Sequence, residues 1–251
     1  MAATVGQIYQ AIDRIAPFET QQGWDNAGLL AGHPNRRVER VLAALDLTPG
    51  VIDEAARMDA ELIITHHPVM FHGRKHLRED DPEGALLCAL VRSGRSLIAA
   101  HTNFDVAAGG VNDALAAALK LSEVEELPEG LRIGRWGKTL AELCEAAGAA
   151  LHAVVRSYDR GYRRLDKVAV CGGAGGGFWK IAHDAGADAL LTGEVRHADA
   201  LAASQWGLAL VEAGHRATEQ PSVKAMRIAL QTALDALQYS VMVFESESEP
   251  F

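Results

Sequence analysis

The chain has 251 residues, 49% hydrophobic and 23% charged, with a formal net charge of -9, the composition of an ordinary soluble globular protein with room for one large or two small domains. The acidic balance argues against a broad electrostatic grip on nucleic acid or an anionic membrane. Cys88, Cys144 and Cys171 are odd in number and widely spaced, with no Cys-x-x-Cys. Free thiols, a reducing compartment and, with no signal-like apolar block at Val5 to Ile15 and no membrane-spanning run, a cytoplasmic location are expected.

In chain order the first predicted element is a helix near 4–16. The loop Gly23-Trp24-Asp25-Asn26-Ala27-Gly28 then places an indole, a carboxylate and an amide before an apolar stretch, and reads as a pocket wall rather than a plain turn. A strand at 38–46, a helix at 50–59 and a strand at 61–65 follow, the last ending in Thr65-His66-His67-Pro68. Side chains alternate along a strand, so neighbouring histidines in a regular strand would not both reach one ion; two ions remove the difficulty. Pro68 biases His67 towards an extended backbone and keeps the pair splayed.

After a helix at 82–93, a strand at 96–101 ends at His101 and leads into a loop carrying Asp105. A helix at 111–120, the glycine-rich Gly130 to Gly137 as domain boundary, and a helix at 139–149 opened by a Thr139/Glu142 capping box come next. Strands at 151–157, 167–171, 188–192, 207–212 and 239–245 alternate with helices at 178–186, 196–205 and 219–237, which predicts an α/β architecture. The basic stretch Arg156 to Lys167 reads as a solvated hairpin. His215 and Glu219, past the 207–212 strand, lie one helical turn apart if the chain coils there. The three ligand-type segments thus all follow strand ends, where α/β proteins favour active-site groups; their convergence points to a metal centre.

Laying Val41 to Thr65 over Val168 to Thr192 without a gap matches Gly50 with Gly177, Ala55 with Ala182 and Ala60 with Ala187. Both stretches read as strand, loop, helix, strand, which argues for a duplicated unit whose first copy ends in His66-His67 and second in Gly193-Glu194. Cys171 to Gly177 follows a strand and precedes a helix, yet no Gly-Lys-Ser/Thr follows, so a tight turn or a backbone-lined pocket wall is expected rather than a phosphate loop.

These residues, Gly23 to Leu29, Ile64-Thr65-His66-His67-Pro68, His101 to Asp105 with Gly110 to Asp113, Gly134 to Gly137, Val168 to Gly175, Gly186 to Glu194 and Gly214-His215-x-x-x-Glu219, together resemble the Nif-three-like dinuclear metal centre proteins, often labelled GTP cyclohydrolase type-two-like. The resemblance spans nearly the whole chain. It implies two divalent metal ions held by His66, His67, Asp105, His215 and Glu219, the last bridging both ions. It further implies two intertwined, similar α/β lobes with the metal site between them, assembled into a homohexamer. Residues 1–127, with 225–251 returning, would form lobe 1 and 128–224 lobe 2. By the same resemblance His101, Glu194 and His197 look like cavity residues.

Five protein ligands over two ions leave coordination positions open, as in a catalytic site. The expected activity is metal-dependent hydrolysis, GTP cyclohydrolase-like on a purine nucleotide or on a phosphoester, with His101 or His197 moving protons. The rival is a non-catalytic metal-binding ring acting as regulator, scaffold or metal carrier. Mixed imidazole and carboxylate ligands suit zinc, iron, manganese or nickel alike.

Overall fold

The computed structural model describes residues 1–159 and 163–248. The chain divides into two compact units, one of Met1–Ala108 with the return from Val223 on, the other of Gly109–Ser222.

Unit 1 opens with β1 (Ala3–Thr4) and α1 (Val5–Ile15), whose capping box pairs Thr4 with Gln7. Next come β2 (Gly28–Ala31), β3 (Arg37–Val38), β4 (Arg40–Ala44), α2 (Pro49–Arg57), β5 (Leu62–Thr65), α3 (Pro82–Ser93), β6 (Ser96–Ala99) and α4 (Thr102–Val106). Asp81 caps α3 on the Gly84 amide and Pro82 stands at its first turn, a position where a missing N–H costs nothing.

Unit 2 holds α5 (Val111–Ala118), β7 (Ser122–Glu126), β8 (Arg132–Thr139), α6 (Leu140–Leu151), β9 (Arg156–Ser157), β10 (Arg164–Cys171), α7 (Trp179–Asp184), β11 (Ala189–Thr192), α8 (His197–Gln205), β12 (Ala209–Glu212) and α9 (His215–Glu219). The chain then runs through α10 (Pro221–Ala236) to β13 (Met242–Glu245), which rejoins the first sheet.

Each unit is built on a run of parallel strands. The first sheet has the order β13-β4-β5-β6-β2 and the second β7-β8-β10-β11-β12-β9, with antiparallel strands only at β2, and at β7, β8 and β9. The second sheet is covered on both faces: Val168, Val170, Leu191 and Val211 pack in one cluster, whereas Ala169, Leu190 and Leu210 pack in another. Alternation along the strand sends neighbours to opposite cores, which is why these strands read as unbroken apolar runs. In unit 1, Leu42, Ile63 and Leu97 pack with Val51, Ile52 and Leu90 of the helices.

The predicted duplication is present in register. Val41 pairs with Leu62 and Ala44 with Thr65; Val168 pairs with Ala189 and Cys171 with Thr192, the same spacing in both copies. In each unit the third parallel strand is followed by a five-residue helix, α4 or α9. Asp105 therefore sits on a helix and not in the expected loop.

Several other expectations change. Gly130 to Gly137, expected as the domain boundary, is mostly β8, paired with β7 and β10. Leu115, Leu119 and Leu121 belong to the core of unit 2 together with Leu143 and Val168, so the chain passes into that unit before α5. The strand expected at 151–157 is reduced to β9, because α6 runs through Leu151 and ends on His152 in the left-handed region at φ 51°. The basic stretch is not a hairpin among the described residues: β9 pairs with β12 while β10 pairs with β8 and β11; its residues 160–162 lie outside the described residues. Among the described residues no helix is long and apolar enough to cross a membrane.

Candidate metal centre

In unit 1 the parallel strands β5 and β6 end side by side, with Thr65 opposite Ala99. The ladder continues one step, as the Ala100 amide donates to the Thr65 carbonyl at 2.9 Å, so His66-His67 and His101 emerge together at one sheet edge. The ligand-type nitrogens of His66, His67 and His101 all lie within 4.8 Å of one another. His66 Nε2 stands 3.5 Å from Asp105 Oδ1 across the first turns of α4. Buried Asn103 fixes that helix, accepting from the His101 amide at 2.9 Å and donating to the Ala16 carbonyl at 2.8 Å.

In unit 2 the equivalent edge lies past β11 and β12. The Ala213 amide donates to the Thr192 carbonyl at 2.9 Å, repeating the Ala100 bond of unit 1, and α9 then carries the predicted pair. His215 Nε2 is 3.2 Å from Glu219 Oε1, the expected one-turn spacing on one helix face. The glycine-rich segment forms a backbone wall against this pair. A Cβ on Gly173, whose φ is +63°, would stand 2.3 Å from Glu219 Oε1 and 3.2 Å from His215 Nε2. Asn112 and Thr218 hold the wall: the Gly172 amide donates to Asn112 Oδ1 at 2.8 Å and the Gly173 amide to Thr218 Oγ1 at 3.1 Å.

All four imidazoles are held in the same way. Nδ1 lies 2.9 Å from the Ala100 carbonyl in His66, 2.7 Å from Asp46 Oδ1 in His67, 2.8 Å from Asp25 Oδ1 in His101 and 2.7 Å from Glu194 Oε1 in His215. An oxygen there places the ring proton on Nδ1 and leaves the Nε2 lone pair to face inward, the arrangement that orients metal-binding histidines. That lone pair faces a carboxylate oxygen at His66 and again at His215. Two acceptors aimed at each other repel unless a cation or proton lies between them, so the residues present fit divalent metal ions.

The roles of Asp46 and Asp25 are absent from the sequence reading, for they lie 21 and 76 residues from the histidines they hold. Burial alone would raise the Asp25 carboxyl, but hydrogen bonds from His101, Thr102 and the Asn26 amide lower it to about 2. Asp25 thus belongs to the site, as its loop suggested, by holding His101. Glu194, expected as a cavity residue, is placed on His215. His197 is exposed at the first turn of α8 and lines a cavity of about 490 Å3 with Tyr158, Asp159 and Leu201; among the described residues no other predicted site residue lines it.

Comparison with known proteins agrees with the motifs. Residues 3–250 match the Duf34/NIF3 (NGG1p interacting factor 3) family. A Streptomyces coelicolor protein named GTP cyclohydrolase 1 type 2 homolog is 35% identical over 86% of this chain and 82% of its own length. One of the same name from Clostridium acetobutylicum is 28% identical over 100% of this chain and 99% of its own. The fold is that of a Bacillus cereus protein related to NIF3, with a TM-score of 0.93 and 24% identity over 100% of this chain and 99% of that one. A Staphylococcus aureus hypothetical protein of known structure gives a TM-score of 0.94 at 25% identity, again over 100% and 99%. With its family match running almost from end to end, the chain belongs to the Duf34/NIF3 family.

Proposed function

We propose that the chain is a divalent-metal-dependent hydrolase whose metal ions would be held by His66, His67 and Asp105 in unit 1 and by His215 and Glu219 in unit 2. The observation that supports it best is the pairing, in each unit, of an Nδ1-anchored histidine with a carboxylate facing its Nε2. Zinc, iron, manganese and nickel all suit this ligand set. Such ions would supply Lewis acidity, polarising a substrate oxygen and making water an effective nucleophile near neutral pH.

The chain's own groups do the rest. Asp46 and Glu194 fix the rings of His67 and His215, and their negative charge makes those imidazoles better donors. Asp25 holds His101 so that Nε2 can take up or deliver a proton beside His66 and His67. The names of the curated relatives suggest a purine nucleotide such as GTP as substrate, and phosphoester hydrolysis suits the same donors.

Elemental analysis of purified protein, with turnover measured on a nucleotide and phosphoester panel, tests the reading. Glu219→Ala is expected to keep its circular dichroism spectrum and assembly state, to bind clearly fewer than two metals per chain, and to lose hydrolysis. Asp105→Ala should weaken mainly one metal. Unchanged metal stoichiometry and affinity in Glu219→Ala would overturn the centre. Full metal content with no turnover in the parent would overturn the hydrolase and favour a metal-binding ring.

A further inference from the structure

The repeat that lays Val41 to Thr65 over Val168 to Thr192 ends each copy on a threonine. Thr65 closes β5 after Leu62-Ile63-Ile64, and Thr192 closes β11 after Ala189-Leu190-Leu191; their exposures are 1% and 0%. A buried hydroxyl is costly unless it is bonded, and valine would fill nearly the same space in a strand without that cost. The role of each threonine therefore lies in what its hydroxyl bonds.

In unit 1, Thr65 Oγ1 donates to the His67 carbonyl at 2.8 Å, two residues further on. The His67 amide donates to the Leu45 carbonyl at 3.0 Å, so His67 is anchored at its amide by the neighbouring strand end and at its carbonyl by the hydroxyl. A local bond from a threonine side chain to the main chain competes with the regular strand and turns the backbone out of it. Neighbouring side chains of a regular strand point to opposite faces. Here the rings of His66 and His67 lie only 4.9 Å apart between centroids, with ligand-type nitrogens within 4.8 Å, and the Thr65 bond accounts for that departure.

In unit 2 the matching hydroxyl acts on the glycine wall. Thr192 Oγ1 donates to the Gly173 carbonyl at 3.1 Å and accepts from the Gly175 amide at 3.0 Å. A Cβ on Gly175 would stand 2.7 Å from that oxygen, so glycine permits the approach. The Gly173 carbonyl also accepts from the Gly193 and Glu194 amides, at 2.9 and 3.0 Å. One buried hydroxyl thus joins the wall that faces Glu219 to the strand end from which Glu194 reaches His215.

Resting on the metal-centre reading of these residues, we infer that Thr65 and Thr192 are a duplicated pair of positioning residues, each using one buried hydroxyl to fix the backbone that presents metal donors. Thr65 sets the turn that brings His66 and His67 together. Thr192 holds Gly173 and Glu194 in place about Glu219 and His215. Both hydroxyls bond main-chain groups and not the donor atoms themselves, so each acts through the chain.

Titration of the full chain, freed of metal by a chelator, with cobalt(II) tests this, because the visible bands of that ion report the number and arrangement of its donors. Thr65→Val and Thr192→Val should each bind cobalt about 10–100-fold more weakly than the parent, the range for losing a partner that orients a metal ligand, and should show altered bands. Thr65→Ser and Thr192→Ser keep the hydroxyl and should recover both affinity and bands. Where a valine variant does not fold, Thr65→Ala or Thr192→Ala, which removes the hydroxyl without crowding, carries the same measurement. Valine variants that melt at a lower temperature yet bind cobalt with parent affinity and parent bands would overturn the inference, as would serine variants that recover nothing. A parent that binds no cobalt removes the metal centre beneath it, whereas a cobalt-binding parent with parent-like valine variants removes the threonine roles alone.

Discussion

At Gly173 it is the absence of a side chain that makes room for the site. The backbone there has a φ of +63° and passes against both predicted ligands of α9. Gly173→Ala would impose a left-handed conformation on a residue with a Cβ, a cost of about 1–3 kcal/mol, and would press that Cβ onto Glu219 Oε1. The variant should melt at a lower temperature and bind less metal, by elemental analysis; parent-like values of both would show that the wall is not tight. Asp25 makes a second residue-scale test. Its carboxyl is lowered from the ordinary 3.8 to about 2, so it contributes stability that is fully present above pH 3.8 and is lost as the pH falls towards 2. Asp25→Asn should therefore be less stable than the parent at neutral pH and lose less on acidification through that window, measured by urea unfolding at stepped pH. At this scale the placement of His66 and His67 just past a strand end and the one-turn spacing of His215 and Glu219 were legible, because an apolar run and an i,i+4 pair are short-range signatures. Their supports were not, since Asp46 and Asp25 are distant in sequence and only the packed strands and loops bring them to the rings.

At the scale of elements, the signals that read correctly were those with a local physical cause. The capping box Thr139/Glu142 opens α6 as expected, with the Thr139 amide donating to Glu142 Oε2 at 2.8 Å and the Glu142 amide to Thr139 Oγ1 at 3.3 Å. Thr139→Ala should lower thermal stability by about 1 kcal/mol and leave metal content unchanged, because the cap is exposed and takes no part in holding the donors. A matching loss of metal would mean that α6 supports the site. The missed elements lacked such a cause. All of β7 is exposed, so Ser122-Glu123-Val124-Glu125-Glu126 shows no apolar alternation. Glycines hide β8, and α4 is too short for a hydrophobic period to appear. The repeat was legible from a few small residues, of which Ala55 and Ala60 are buried in the core of unit 1 and Ala182 and Ala187 in that of unit 2.

For the whole molecule, the alternating α/β pattern and the duplication were readable from the sequence, whereas the path of the chain between the two units was not, because the apolar residues of α5 would suit either core until packing decides. Assembly is a proposal that rests on the family resemblance: light scattering should give a mass near six chains of 26.8 kDa each, and a stable monomer at micromolar concentration would exclude it. The return of the chain at Val223 also bears on how the protein comes off the ribosome. Every residue of unit 2 has been made before β13, which pairs Met242 with Arg40 and Glu245 with Ala43 along the outer side of β4. The unit begun second is the first whose residues are all available. Until Met242 to Glu245 have been made, β4 presents an open edge of unsatisfied amides and carbonyls, the kind of edge on which strands from other chains add. A nascent chain halted before Met242 thus exposes β4, and β13 later takes over as the edge strand of the first sheet.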